Sequence, residues 1–255
     1  MAEAAGRAGD GLSGRQRAEI VARSFLLQSV WNRRTMQSVG FCFAMLPVLR
    51  AGRPDELARR AFLERHLGFF NTNPVLASYV LGAAAAAEMR SDGHGPVEAS
   101  DLKRALAGPL GMAGDALFWA ALRPLAGFLG VLAALAGKPW AAVLILVVYN
   151  VPHLLVRARG VAAGAERGAE AVKEVLGARV KRTVTVLRAS CSFAAGLVVA
   201  LSVSRGGLAP GALLVAGGVF AAGILALRAR VPLSAVAACA VTLGAALTMT
   251  GSLGG

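Results

Sequence analysis

Acidic residues stop at Glu174, and from Val175 to Gly255 the sequence holds none. Charge is scarce throughout. Asp, Glu, Lys and Arg together make up 16% of the 255 residues, where a soluble domain carries about 25%. That is too little charge to coat a soluble fold of this length. The cysteines Cys42, Cys191 and Cys239 lie far apart in apolar stretches, which excludes a metal spacing and a disulfide framework. His66, His94 and His153 are equally scattered and lack metal-ligand spacing, so no metal is expected. The N-terminus, MAEAAGRAGDGLSGRQRAE, has no apolar core, so no cleavable signal peptide is expected. A phosphate-cradling P-loop, a nucleophile elbow and a dinucleotide fingerprint are also missing. No catalytic residue and no cofactor is expected.

What is present is apolar sequence. Hydrophobic residues make up 56% of the chain, and its mean hydropathy is positive. A run of about 18 or more apolar residues marks a transmembrane helix. Five spans are predicted, at 117–136, 139–156, 186–204, 209–227 and 232–250, the first two joined as a hairpin at Gly137–Lys138. The net charge of +13 raises the question of nucleic acid. Nucleic-acid binders, however, array Lys and Arg on a solvated face. Here they flank apolar runs, as the positive-inside rule requires of cytoplasmic loops, so no nucleic-acid partner is expected. Residues 157–188 carry eight Lys or Arg against three Glu and read as a basic cytoplasmic loop. Arg228 and Arg230 mark a second cytoplasmic turn. The N-terminus then lies in the cytoplasm and the C-terminus outside, with Arg205 as a single positive charge on the outer side.

The fold class expected is an all-α integral membrane protein, with about five transmembrane helices plus N-terminal amphipathic or re-entrant helices. Residues 1–14 read as a disordered N-terminus, 15–107 as the amphipathic and re-entrant region, and 108–255 as the transmembrane region. Ile20, Val21, Phe25, Leu26 and Val30 recur at helical spacing, which predicts a helix from about Gln16 to Ser38 with Ser13 as a plausible cap. Gly40–Leu49 is apolar but too short to span. Pro54–Leu67 reads as a polar helix. Asn73 is a good N-cap and Pro74 a good first residue for a helix reaching Met89. Residues 90–103 read as a polar linker.

Three stretches carry candidate binding groups. Gly108, Pro109, Gly111 and Gly114 argue against a plain helix just before Asp115. Asp115, Trp119 and Arg123, spaced by four, share one helix face and together suit the rim of a polar cavity. The plainer reading is that Asp115 caps the helix and pairs with Arg123. In Phe69-Phe70-Asn71-Thr72-Asn73-Pro74 the amides of Asn71 and Asn73 suit sugar hydroxyls, while capping alone accounts for Asn73. Gln28 and Asn32, four apart beside Trp31, either bond a ligand or bond a partner helix, since buried amides need partners.

At these motifs the sequence resembles the IID component of the mannose/fructose/sorbose-family sugar phosphotransferase system. The resemblance rests on Ser24-Phe25-Leu26-Leu27-Gln28 with Trp31-Asn32; on Met36-Gln37 with Gly40-Phe41; on Arg65-His66-Leu67 with the Phe69–Pro74 run; and on Gly108-Pro109-Leu110 with Gly114-Asp115, Leu117-Phe118-Trp119 and Leu122-Arg123-Pro124. It covers residues 15–125, with Tyr149-Asn150 and the basic segment after it in the corresponding place. It implies a multi-pass subunit of the bacterial cytoplasmic membrane that pairs with a IIC membrane subunit to bind and carry a hexose. It also implies separate cytoplasmic IIA and IIB proteins that handle the phosphoryl group, so this chain would be a non-catalytic transport subunit. Three departures stand out. Arg33-Arg34-Thr35 replaces the usual Tyr-Glu-Arg, Gly68 replaces an acidic residue, and Glu88-Met89 replaces an acidic pair. The alternative they raise is a divergent IID acting as a regulatory or structural membrane partner without efficient transport.

Overall fold

The computed structural model describes residues 11–52, 55–90 and 95–206. Residues up to Val198 form one compact unit and Val199–Gly255 a second; all the residues that line the site lie in the first. Among the described residues the secondary structure is helical, apart from two isolated bridges, Asn32–Met36 and Met36–Phe70.

Ser13 caps α1 (Gly14–Ser24) through a capping box with Gln16. The helix then stops, fourteen residues short of the predicted Ser38. Two contacts explain the stop. The Ser24 hydroxyl donates back to the Val21 carbonyl at 2.6 Å, and the buried Arg157 guanidinium donates to the Ser24 carbonyl at 2.5 Å. Turns follow, and Asn32 Oδ1 accepts from the backbone N–H of Arg34 and of Thr35. Gln28 and Asn32 therefore do not share a helix face. Apolar periodicity ran on through Val30, but distant partners bend the chain.

Helix α2 (Ser38–Gly52) contains Pro47 and is largely buried. Asp55 caps α3 (Glu56–Leu67) by accepting from Ala58 N–H at 2.7 Å. Asn73 caps a turn and not, as expected, the helix itself: its side chain accepts from Val75 N–H and its carbonyl from Ala77 N–H. The turn over residues 74–76 is tight, so α4 proper runs over Ala77–Met89. Helix α5 (Gly95–Gly114) starts inside the predicted linker and passes unbroken through Pro109. The break predicted at 108–114 is absent. Of these glycines Gly114 serves close approach: a methyl group there would overlap the Asn73 side chain, whereas Gly111 has room for one beside Thr72. The helix widens to a π segment over Asp115–Leu122, where Arg123 N–H reaches the Phe118 carbonyl. It returns to α form in α6 (Arg123–Leu135). The hairpin at Gly137–Lys138 forms as predicted and leads into α7 (Ala141–Arg167).

Residues 157–188 are mostly helical rather than a loop: they comprise the end of α7, then α8 (Ala169–Val175) and the start of α9 (Ala178–Gly206). Three helical stretches are long and apolar enough to cross a membrane, Gly95–Leu135, Ala141–Arg167 and Ala169–Val199. They contain the first two predicted spans to within two residues at one end, and most of the third. The spans predicted at 209–227 and 232–250 lie outside the described residues. The core gathers Phe41, Met45, Phe62, Phe70, Leu81, Leu110 and Phe118. Helices α4 and α7 meet backbone to backbone at Gly82 and Gly164, where any side chain would strike the opposite main chain.

Candidate functional site

The Phe69–Pro74 run crosses the molecule as a short extended segment. It is fixed at one end by α2: Gln37 N–H donates to the Phe70 carbonyl at 2.8 Å. The Gln37 side chain, buried, then grips Thr72 at both backbone groups. Its Nε2 donates to the Thr72 carbonyl at 2.8 Å, and its Oε1 accepts from Thr72 N–H at 3.1 Å. The other end is fixed by α5, since Thr72 Oγ1 donates to the Ala107 carbonyl at 2.7 Å. Asn73 Nδ2 donates to Asp115 Oδ1 at 2.9 Å. One extended segment thus ties the turn after α1 to the head of the π segment.

Beside it opens a cleft of about 830 Å³. Its polar lining comes from Gln28 and Gln37, from Asn71 and Thr72, and from Asp115, Trp119 and Arg188. Gln28, Asn71, Asp115, Trp119 and Arg188 are exposed, so their polar atoms are available to a solute. Asp115 Oδ2 has no partner among the described residues. Trp119 carries the Arg123 guanidinium 5.3 Å from its ring centre, which fixes the indole by a cation–π contact.

Of the seven residues expected from sequence, Gln28, Asn71, Asp115 and Trp119 line the cleft. Asn73 does not line it but holds Asp115. Arg123 does not line it either, and does not pair with Asp115 at salt-bridge distance; its guanidinium stacks on Trp119. Asn32 is turned to its own loop, where its side chain bonds the Thr35 hydroxyl as well as the backbone. Sequence reasoning missed Thr72 and Arg188. Thr72 lay in view inside the Phe69–Pro74 run. Arg188 looked like any charge flanking a span.

A second polar cluster, also missed, joins the ends of α3 and α4 to α5. Glu88, 1% exposed, accepts from Arg65 through both carboxylate oxygens at 3.0 Å and lies 3.1 Å from His66 Nε2. Lys103 Nζ donates to the carbonyls of Arg65, His66 and Gly68, closing the end of α3. Burial pushes the His66 imidazole below its ordinary value despite Glu88. Burial pushes the Glu88 carboxyl up, but bonds from His66 and Arg65 outweigh it and hold the group low. Among the described residues no group of His, Cys, Asp and Glu is arranged to hold a metal ion.

The mannose-specific EIID component of the phosphotransferase system of Escherichia coli (strain K12) is 36% identical over 162 residues, covering 62% of this chain and 57% of that protein. The sorbose-specific EIID component of Klebsiella pneumoniae is 33% identical over 158 residues, covering 61% of this chain and 58% of that one. The matched part of this chain therefore spans little more than half the length of these relatives. Among solved structures, one described as a membrane protein superposes with a TM-score of 0.64 at 32% identity, over 74% of this chain and 70% of that chain. The mannose transporter ManYZ, solved by cryo-electron microscopy in complex with microcin E492, contains a chain that superposes with a TM-score of 0.58 at 27% identity, over 94% of this chain and 97% of that one. The family model for the IID component of the mannose/fructose/sorbose phosphotransferase system matches residues 11–205. The chain described here belongs to that family of membrane IID components.

Proposed function

We propose that this chain is the IID half of a mannose-type sugar permease, forming with a IIC subunit the unit that binds and carries a hexose. Cytoplasmic IIA and IIB proteins carry the phosphoryl group, and this chain carries none. The observation that bears most weight is the cleft, in which a half-free carboxylate, amides and an exposed indole face one space. Asp115 Oδ2 can accept from sugar hydroxyls. Gln28 and Asn71 offer both donors and acceptors, and the Trp119 face suits the C–H side of a pyranose. The departures at Arg33, Arg34, Gly68 and Glu88 do not line the cleft, which favours retained transport over a purely regulatory role. His66 is engaged by Glu88, and His153 sits among Phe25, Phe118 and Tyr149; neither is arranged as a phosphoryl carrier.

The N-terminus and the basic stretch 157–188 lie on the cytoplasmic side of the bacterial inner membrane. The test of function is uptake of radiolabelled mannose, fructose and sorbose by cells lacking their own permease and supplied with this chain, IIC, IIA and IIB. Asp115→Asn lowers uptake at least about tenfold at unchanged membrane yield, since one charge-assisted bond is worth about 1.5–3 kcal/mol. Normal uptake by that variant removes the reading. Loss of yield instead assigns Asp115 a structural role. Labelling of cysteines placed in 157–188 from the periplasm would overturn the orientation.

A further inference from the structure

We propose that the groove between α5 and α9 holds an anionic phospholipid, with its acyl chain along the apolar floor and its phosphate on Lys181 and Arg188. The groove encloses about 360 Å³. One wall is Pro109, Met112, Ala113 and Ala116, from α5 and the first residues of the π segment. The other is α9, where Val180 and Val184 alternate with Lys181, Thr185 and Arg188. Among the described residues α9 makes no close backbone contact with another helix, so the described residues leave the groove open.

Its charge decides the occupant. Lys181 and Arg188 are seven residues apart, two helical turns, and so lie on one face. Both are exposed, and neither has an ion-pair partner among the described residues. No acidic residue lines the groove. The acid nearest before it in sequence, Glu174, is paired with Arg167, and none follows in the chain. An apolar helix from another subunit would cover the floor and leave two cations unpaired. A molecule with one anionic head and a long apolar tail satisfies both. Basic pockets between membrane helices take anionic lipid heads for this reason, and the long stems of Lys and Arg let their charges reach the head-group level.

Arg188 also borders the cleft, so the test reads lipid retention and changes Lys181 and Val184 instead. The full chain is purified with its IIC partner and titrated with phosphatidylglycerol or phosphatidylcholine of identical acyl chains, with bound lipid counted by native mass spectrometry. Phosphatidylglycerol is retained and phosphatidylcholine is not. Lys181→Gln weakens retention about fivefold to tenfold, the effect of one cation at an anionic head. Val184→Trp fills the groove and abolishes retention with both cations in place; if that variant fails to assemble, Ala113→Phe fills it from the opposite wall. Equal retention of both lipids overturns the proposal, as does unaltered retention in Lys181→Gln or in the groove-filling variant. Displacement by glycerol 3-phosphate as readily as by phosphatidylglycerol would mean an anion site without a lipid site. Retention seen only when IIC is absent would mean that the partner covers the groove. Either result also overturns the proposal.

Discussion

Asn73 and Asp115, forty-two residues apart, are joined by a 2.9 Å hydrogen bond from the Asn73 amide to Asp115 Oδ1. The bond turns a capping residue into a positioning residue. Asn73 holds the start of α4 through its own Oδ1 and steadies the carboxylate of the cleft through its Nδ2. It commits one Asp115 oxygen and leaves the other to a solute.

Gly114 makes that bond possible, because a methyl group there would occupy the place of the Asn73 side chain. Gly→Ala inside a helix ordinarily stabilises by roughly 0.5–1 kcal/mol. Here overpacking costs about 1–3 kcal/mol, so the sign reverses. Gly114→Ala lowers the unfolding temperature of the purified complex and lowers hexose uptake. Adding Asn73→Ala makes room for the methyl and recovers part of the stability, yet uptake stays low because Asp115 is no longer held. Recovery of both together would show that the amide has no part in positioning the carboxylate.

Lys103 closes the end of α3 with three bonds to carbonyls, and its ammonium lies 4.9 Å from the centre of the Phe41 ring. Lys103→Met keeps the stem packed and leaves those carbonyls without their donor. A buried polar group left unsatisfied costs about 1–3 kcal/mol, so thermal unfolding of the complex moves to lower temperature. A variant as stable as the parent would mean that water reaches the end of α3.

Acid should weaken the fold in two stages. The His66 imidazole is held below its ordinary 6.5, so the unfolded chain binds a proton first and stability falls as pH drops below that value. The Glu88 carboxyl is held below 4.5, so its contribution is present above 4.5 and lost as pH falls through the folded value. Arg65 bonds the Glu88 carboxylate and Lys103 bonds the His66 carbonyl, so both cations face the same pair. Thermal unfolding followed from about pH 7.5 down to about pH 2 shows both stages. His66→Gln removes the first and keeps the second. A flat profile in the parent protein contradicts the assignment.

Local signals were legible in the sequence where local chemistry decides the outcome. Ser13 caps its helix and the Gly137–Lys138 hairpin forms, as a side chain and a spacing suggest. The fold was hidden where a distant partner decides. Helix α1 stops because Arg157, 133 residues away, takes the Ser24 carbonyl, and no periodicity could report that. The glycines at 108–114 suggested a broken backbone, but the helix is intact there and Gly114 admits the Asn73 side chain. Four of the seven expected site residues meet in the cleft, because motifs rich in amides and aromatics on an apolar chain have few other uses. Asn32 fell out because its side chain is spent on its own turn. The burial of Lys103 and the pairing of Glu88 with Arg65 and His66 went unnoticed because a buried charge and a surface charge look alike in one dimension.

The central claim is that Asp115 and Trp119 form a hexose site when this chain is joined to IIC. Isothermal titration of hexose into the purified complex measures it directly. The parent complex binds, and Asp115→Asn binds at least about tenfold more weakly, the loss of a single charge-assisted hydrogen bond, while eluting as an intact complex. Trp119→Ala, which removes the stacking face and leaves the carboxylate, weakens binding as well. Unchanged affinity in both variants at full assembly would contradict the claim and move the sugar site off this chain.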